Sequence, residues 1–249
     1  MAAENEEKQD MLEDAADTGH DGDMPLMAHL EELRHRIIIC LVAVAAGSGI
    51  AYYFLDTIMA YLIAPAGKLY FMQPAEAFFT YMKVTVFAGF IISLPVVFWE
   101  IWGFFLPALT RKERLLVGIL VPFSVVLFVG GVLFSFTLVL PLGMTFFMGM
   151  GTENLQAMIS MEKYIDFLLT LVLPFGFVFE LPLAMIILAQ LGLVTSAMMQ
   201  KQFRLVIFIT FIVGAILTPP DVFSQVMIAL PVIALYGFSI FVVKYVLRK

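Results

Sequence analysis

Long runs of apolar residues, separated by short polar segments, fill most of the chain between residues 37 and 243. A transmembrane helix needs roughly 20 predominantly apolar residues to cross a hydrocarbon core of about 30 Å. Divided at charges, prolines and glycines, the runs predict six spans. These cover residues 37–55, 77–106, 115–140, 164–191, 205–218 and 222–243. We therefore predict an all-α, polytopic membrane domain over residues 25–243.

Two of these spans have unusual boundaries. Residues 115–152 contain no charge and are too long for one span, so Pro141 and Gly143 predict that a loop follows the third helix. The fifth apolar run, residues 205–218, reaches only about 21 Å at 1.5 Å per residue. We expect the bilayer to be thin beside this helix, or a partner to cover it.

Basic residues predict the orientation, because cytoplasmic loops retain an excess of Lys and Arg. Six spans place both termini on one side, and most of the basic residues belong to that side. They are Lys8, Arg34, Arg36, Arg111, Lys112, Arg114, Lys201, Arg204, Lys244, Arg248 and Lys249, against Lys68, Lys83 and Lys163 opposite. Both termini, including the basic segment 244–249, are predicted to be cytoplasmic.

The composition agrees with a membrane protein and exposes one separate segment. The 249 residues are 62% hydrophobic and 14% charged, with a mean hydropathy of +0.99, which excludes an ordinary soluble domain. The net charge of −6 arises in residues 1–24, where nine acids accompany one base. This segment has no apolar run, so we predict a disordered cytoplasmic tail and not a cleavable signal peptide.

The sequence lacks the residues that several kinds of chemistry require. The sequence has no phosphate-binding loop, HExxH or GxSxG motif, and its three histidines all precede the first span. The lone Cys40 excludes an internal disulfide. We predict a protein that is not an enzyme and that uses no cofactor, metal or nucleic acid.

Ionisable side chains at membrane depth require a physical reason, because an unpaired charge there costs several kcal/mol. Glu180 lies well inside the fourth span, either as a functional group or as a protonated or paired acid between helices. Glu100 lies near the inner boundary, where we expect it to extend towards lipid headgroups. Lys83 and Asp166 lie near the outer boundary and can pair across helices, a structural role.

Two polar segments precede spans on the inner side. Residues 29–36 have an amphipathic pattern in which Glu32 and Arg36, four apart on a helix, can pair. An interfacial anchoring helix is sufficient to explain that pattern. Residues 110–114 contain three bases, which explain orientation, and Glu113, which does not contribute to it.

Five motifs occur in order along these segments. They are His29-Leu30-Glu31-Glu32-Leu33-Arg34-His35-Arg36, Pro74-Ala75-Glu76-Ala77-Phe78, Trp102-Gly103-Phe104-Phe105-Leu106-Pro107-Ala108-Leu109 with Glu113-Arg114, Phe179-Glu180-Leu181-Pro182, and Leu217-Thr218-Pro219-Pro220-Asp221-Val222-Phe223-Ser224-Gln225. Together they resemble the TatC family, the multi-spanning receptor subunit of the twin-arginine protein translocase. The resemblance extends over about residues 25–243.

The resemblance implies a concave, glove-shaped bundle of six helices that binds signal peptides with consecutive arginines. It assigns the binding of the arginine pair to Glu32 and Glu113. The chemistry agrees, since carboxylates accept the planar donor fork of a guanidinium. It also implies supporting roles around them. Arg34 and Arg36 hold the acids, and Phe104, Leu106 and Pro107 shape the site.

Other positions acquire roles from the same resemblance. Glu180 projects into the concave wall and contacts the downstream part of the signal or a polar residue of a partner helix. The single-span subunits TatA and TatB dock beside the fifth helix, at Pro219, Pro220, Asp221 and Gln225. Pro65 and Glu76 have structural roles in the outer loops.

The function implied is a non-enzymatic receptor that organises its partners, and copies of itself, to move folded proteins with the energy of the proton gradient. The implied location is the cytoplasmic (inner) membrane of a bacterium or archaeon rather than an organelle. The alternative is a small-solute secondary transporter with Glu180 as its proton carrier. Only Glu180 lies at mid-depth, whereas a transporter needs several such groups, and an intramembrane enzyme would lack a nucleophile and a base.

Overall fold

The protein is described here by a computed structural model of residues 24–105, 114–150, 158–217 and 222–247. Within them the chain is helical, and the one β pairing is an isolated bridge between Tyr70 and Ser160. The helices are α1 (Met24–Tyr53), α2 (Leu55–Ile63), α3 (Pro74–Phe105), α4 (Arg114–Phe134), α5 (Leu140–Met148), α6 (Met161–Phe179), α7 (Leu181–Gln190), α8 (Ser196–Leu217) and α9 (Val222–Tyr245). The all-α prediction is confirmed.

Six helical stretches of the described residues are long and apolar enough to cross a membrane. They comprise α1, α3, α4 continued into α5, α6 continued into α7, α8 and α9. The predicted number of spans is therefore confirmed, and the chain is a multi-pass membrane protein. We call the side that holds Arg36 and Lys244 the basic face, and the side that holds α2 the opposite face.

Pro141 and Gly143 predicted that a loop follows the third helix. This expectation is wrong, because the third span continues as helix to Met148. A π-helical segment, Ser135–Val139, joins α4 to α5, and Pro141 lies in the first turn of α5. A first-turn residue needs no intrahelical amide hydrogen bond, so proline is tolerated there. The wider π turn shifts the hydrogen-bond register at the junction and lets the helix proceed.

The fourth span is divided at Glu180, a feature that the sequence analysis did not predict. The helix α6 ends at Phe179 and α7 begins at Leu181, with Pro182 in the first turn of α7. The amide of Glu180 donates to the carbonyl oxygen of Phe177 at 3.1 Å, which tightens the last turn of α6. Proline removes a donor from the helix ladder, which accounts for the break.

Two helices begin earlier than expected. The amphipathic segment 29–36 is part of α1 and continues directly into the membrane, so it is not a separate interfacial helix. The helix α8 begins at Ser196 rather than Leu205 and includes Lys201 and Arg204, so the expectation of an unusually short fifth helix is wrong: α8 has 22 residues. Both basic side chains are exposed and belong to good helix formers, so they lie within the helix and do not mark its start.

The helices α1 and α3 pack at very short range. Gly47 and Gly89 are buried where the two backbones meet. A Cβ atom added to Gly47 would lie 2.4 Å from the carbonyl oxygen of Gly89. Only glycine fits there, and the contact fixes the position of α3 relative to α1.

A second packing layer lies where α4 meets α6. Phe128 and Phe175 are almost completely buried, and Tyr164 is buried nearer the opposite face. The Tyr164 hydroxyl donates to the carbonyl oxygen of Leu62 at 2.7 Å and so ties α2 to α6. This satisfies the one polar atom of a large buried ring.

Glu76 connects the loops of the opposite face. Its carboxylate accepts hydrogen bonds from the amides of Met72 at 2.7 Å and Glu162 at 3.0 Å, and from the Ser160 hydroxyl. Pro65 lies in the turn that follows α2. Because one carboxylate joins the start of α3 to the start of α6, we assign Glu76 to the structure of this face.

Lys83 carries a charge between helices. Its ammonium contacts Asp166 at 2.6 Å and Glu162 at 3.4 Å, which links α3 to α6. The expected pairing of Lys83 with Asp166 is confirmed. The ammonium offsets the charge of the two carboxylates near the end of the span, where an isolated charge would be costly.

We predict that Gly47→Ala lowers stability by about 1–3 kcal/mol, because the added methyl group must push α3 away. The measurement is thermal unfolding of the purified protein in detergent. Gly49→Ala is the matched control, since nothing lies within 4 Å of a Cβ at Gly49, and alanine is the better helix former. Equal melting temperatures for the two variants would contradict the close-contact assignment.

We predict that Glu76→Gln opens the loops of the opposite face. The amide nitrogen of glutamine would face backbone donors that a carboxylate accepts, so hydrogen exchange at the Met72 and Glu162 amides becomes at least about tenfold faster. Hydrogen exchange with mass spectrometry measures this. Asp56→Asn, an exposed acid of the same face, should leave both amides unchanged, and unchanged exchange in Glu76→Gln would remove its clamp role.

Candidate functional site

A guanidinium is held between two carboxylates at the basic face. Arg36 donates from Nε at 3.0 Å and from Nη2 at 2.6 Å to Oε1 of Glu32. Its Nη1 donates to Oε2 of Glu100 at 3.0 Å and to the Glu100 carbonyl oxygen at 3.3 Å. The three side chains form what we call the rim cluster, with two negative charges and one positive charge.

The fold builds the rim cluster from two antiparallel helices. Glu32 and Arg36 are one turn apart on α1, where residues four apart share a face. Glu100 comes from the last two turns of α3, which the close packing of α1 on α3 brings to the same depth. A Cβ atom at Gly103 would lie 2.5 Å from Nη1 of Arg36, so Gly103 leaves the space that the guanidinium occupies.

Exposure differs across the rim cluster. The exposed fraction of the side chain is 35% for Glu32, 23% for Arg36 and 14% for Glu100. A ligand that arrives from the basic face therefore meets Glu32 first, while Glu100 is the innermost of the three. Screening by water is weakest around Glu100, which strengthens its interaction with Arg36.

The structure brings together only some of the predicted site residues. The expected pairing of Glu32 with Arg36 is confirmed. Arg34 is exposed and has no ion pair within the described part of the chain, and Phe104 is half-buried on the last turn of α3. Three predicted members of the site lie outside the described residues, namely Leu106, Pro107 and Glu113.

Sequence reasoning missed the position of Glu100. We expected its side chain to extend towards lipid headgroups, whereas it is the second partner of Arg36. The signal was present, because Glu100 near the end of the second span and Arg36 at the start of the first span are predicted on the same side and at similar depth. Predicting the contact between Arg36 and Glu100 would have required the register between α1 and α3.

Glu180 lies in the break between α6 and α7, deep in the fourth span. Its Oε1 atom is buried and has no hydrogen-bond partner within the described residues, and the Ser124 hydroxyl approaches the same carboxyl group. Ser124 also accepts a hydrogen bond from Nε1 of Trp102 at 3.0 Å. An unsatisfied carboxyl oxygen at this depth can accept a donor from another helix or hold a proton.

The predicted docking region is described only in part. Pro219, Pro220 and Asp221 lie outside the described residues. Gln225 lies on α9, and its Nε2 donates to the carbonyl oxygen of Phe211 on α8 at 2.7 Å. Gln225 therefore joins the two helices of the hairpin, and its role in docking stays a prediction.

Metal ligation finds no support in the part of the chain that the structure describes. No group of three or more His, Cys, Asp or Glu side chains there is arranged to hold a metal ion. The chemistry available at the rim cluster is charge-assisted hydrogen bonding between carboxylates and cationic donors.

Comparison with known proteins agrees with the motifs. A family profile described as Sec-independent protein translocase protein (TatC) matches residues 28–231. A Sec-independent protein translocase protein TatC of Carboxydothermus hydrogenoformans is 38% identical over 234 residues, which cover 92% of this chain and 96% of the relative. That of Desulforapulum autotrophicum is 42% identical over 223 residues, covering 87% and 83%.

Solved structures agree with the fold. The crystal structure of a twin-arginine translocase receptor, TatC, matches with a TM-score of 0.80 at 38% identity and covers 88% of this chain and 100% of its own. A second structure of such a receptor matches with a TM-score of 0.79 at 37% identity, covering 87% and 99%. The profile and the relatives extend over most of the chain and the structures share its helical architecture, so this protein belongs to the TatC family of Sec-independent protein translocase components.

Proposed function

We propose that this protein is the receptor that binds signal peptides with two consecutive arginines and organises the export of folded cargo. The proposed location is the cytoplasmic membrane of a bacterium or archaeon, with the basic face towards the cytoplasm. The Lys and Arg residues of that face support this orientation. The receptor binds and positions its cargo without catalysing a reaction.

The rim cluster is the observation that carries the proposal. Glu32 accepts two hydrogen bonds from a guanidinium, which is the group that a twin-arginine signal presents. It does so at the end of a span with about a third of its side chain exposed, 35%. A carboxylate in that position can receive a charged peptide from the aqueous side without carrying the charge into hydrocarbon.

The chemistry also favours arginine over lysine. A guanidinium donates along several fixed directions within one plane, whereas an ammonium is a compact and strongly hydrated point charge. In the rim cluster, three nitrogen atoms of one guanidinium contact two acids. A second acid, Glu113, which directly precedes α4 in the sequence, would receive the other arginine of the signal.

Partner subunits enter at the hairpin of α8 and α9 in this proposal. TatA and TatB each have a single span, and a helix needs a facing surface with polar atoms or close packing to bind within lipid. The hydrogen bond between Gln225 and Phe211 keeps the two helices of the hairpin together. Glu180 offers an unsatisfied acceptor to a polar side chain of a partner or of the signal, and the proton gradient supplies the energy for transport.

We predict that Glu32→Gln weakens binding of a labelled Arg-Arg signal peptide by about tenfold or more, because a hydrogen bond to a charged group contributes about 1.5–3 kcal/mol. Glu113→Gln should act in the same direction. Fluorescence anisotropy with the full chain in lipid nanodiscs measures the affinity. Glu31→Gln, an exposed acid beside Glu32, is the control and should bind like the wild type.

A Lys-Lys version of the same peptide should bind weakly to the wild type and lose little in either variant. Equal affinity of the two peptides for the wild type, or unchanged affinity of the Arg-Arg peptide in both Gln variants, would overturn the site assignment.

We predict that Glu180→Gln reduces export of folded cargo by about tenfold while signal-peptide affinity stays within about twofold. Glutamine keeps the size of the side chain but removes its charge and its titratable proton. Cells without their own TatC, complemented with each variant, provide the export measurement. Asp56→Asn is the control for a lost carboxylate away from this site. Normal export in Glu180→Gln would reduce Glu180 to a packing role.

A further inference from the structure

Arg36 divides its donors between two acids of different accessibility. Nε and Nη2 contact the more exposed Glu32, while Nη1 contacts both the carboxylate and the backbone carbonyl of the more buried Glu100. The guanidinium therefore stays partly paired if either carboxylate leaves it. In the rim cluster, Arg36 already forms with Glu32 the ion pair that a signal arginine would form.

We propose that Arg36 is a resident guanidinium that a signal arginine replaces at Glu32, and that Glu100 is the positioning residue that keeps Arg36 paired during this exchange. The proposal rests on the proposed function, because it requires Glu32 to bind the signal. Glu100 itself does not contact the signal in this scheme. The ligand is the guanidinium of an arriving peptide.

Energetics favour exchange over simple addition. Breaking a partly buried ion pair by removing one partner is costly, because it leaves the other charge uncompensated. Here the signal arginine replaces two hydrogen bonds of Arg36 at Glu32, while two hydrogen bonds of Arg36 to Glu100 remain. The net cost of displacing Arg36 is therefore small only if Glu100 is ionised and in place.

Exchange also accounts for selectivity and for release. The incoming group must match the geometry of the guanidinium that it displaces, which an ammonium does not. Arg36 remains beside Glu32 on the same helix face and competes for it continuously. The bound signal is thereby held less tightly than at an open carboxylate, as a receptor that must hand its cargo onward requires.

The first test is the sign of the effect of Arg36→Gln on binding of a fluorescein-labelled Arg-Arg signal peptide to the full chain in nanodiscs. Without the resident competitor, affinity should rise by about fivefold or more. A fall in affinity would mean that Arg36 braces the site, and an unchanged affinity would mean that Arg36 does not compete for Glu32; either result would overturn the exchange. Size exclusion and thermal unfolding establish that the variant is folded.

Arg36→Lys provides a second variant if Arg36→Gln does not purify as a single species. Lysine keeps the positive charge but lacks the planar fork that reaches both acids, so it competes less well. Affinity for the Arg-Arg peptide should again exceed that of the wild type. An affinity below that of the wild type would count against the proposal in the same way.

The second test is a double-mutant cycle between Arg36 and Glu100. With Arg36 present, Glu100→Gln should weaken peptide binding by about tenfold, because the displaced guanidinium loses its charged partner. With Arg36→Gln in the background, Glu100→Gln should change affinity by less than about twofold. Equal losses in both backgrounds would show that Glu100 contacts the signal directly, and no loss in either would show that it is only structural; both results overturn the proposal.

Failure of the proposed function has a different signature. If Glu32 does not bind the signal, Glu32→Gln leaves the affinity of the Arg-Arg peptide unchanged whatever occupies position 36. If only the exchange is wrong, Glu32→Gln still weakens binding, and Arg36→Gln either weakens it or leaves it unchanged.

Discussion

The cost of an uncompensated charge in hydrocarbon governs where this protein places its polar side chains. Arg36 lies between Glu32 and Glu100, and Lys83 lies close to Asp166, each pair joining α3 to a neighbouring helix near an end of its span. These interactions neutralise charges that lipid would otherwise penalise, and they also fix the relative depth of the helices. Glu180 differs, because one of its oxygen atoms is buried without a hydrogen-bond partner in the described residues.

Sequence periodicity and charge were sufficient for the number of spans and the pairing of Lys83 with Asp166, because both follow from hydrophobic length and from charges at one depth. Helix boundaries were harder. Pro141 reads as a terminator in the sequence, yet a π-helical segment before it lets the third span continue. Glu180 reads as the interior of a span, although Pro182 places it at a break. Such departures depend on how a few backbone hydrogen bonds shift, which residue type alone does not determine.

The candidate site was predictable where its members are neighbours on one helix and not where they come from two. Glu32 and Arg36 are four residues apart, so their pairing follows from helix geometry alone. Glu100 is far away in sequence, and its contact with Arg36 depends on the register between α1 and α3. That register is set by the close backbone contact at Gly47, which is possible only because glycine has no side chain. A pattern of apolar positions does not record it.

The last turns of α3 connect the rim cluster with Glu180. Glu100 and Gly103 contact or adjoin Arg36 at the rim, and between them Trp102 donates to Ser124, whose hydroxyl approaches Glu180. A helix carries side chains about 100° apart at successive positions, so a single turn can face the rim cluster and the intramembrane acid at the same time. The exchange proposed at Glu32 would therefore take place beside the same turn of α3 that carries Trp102, the hydrogen-bond partner of Ser124.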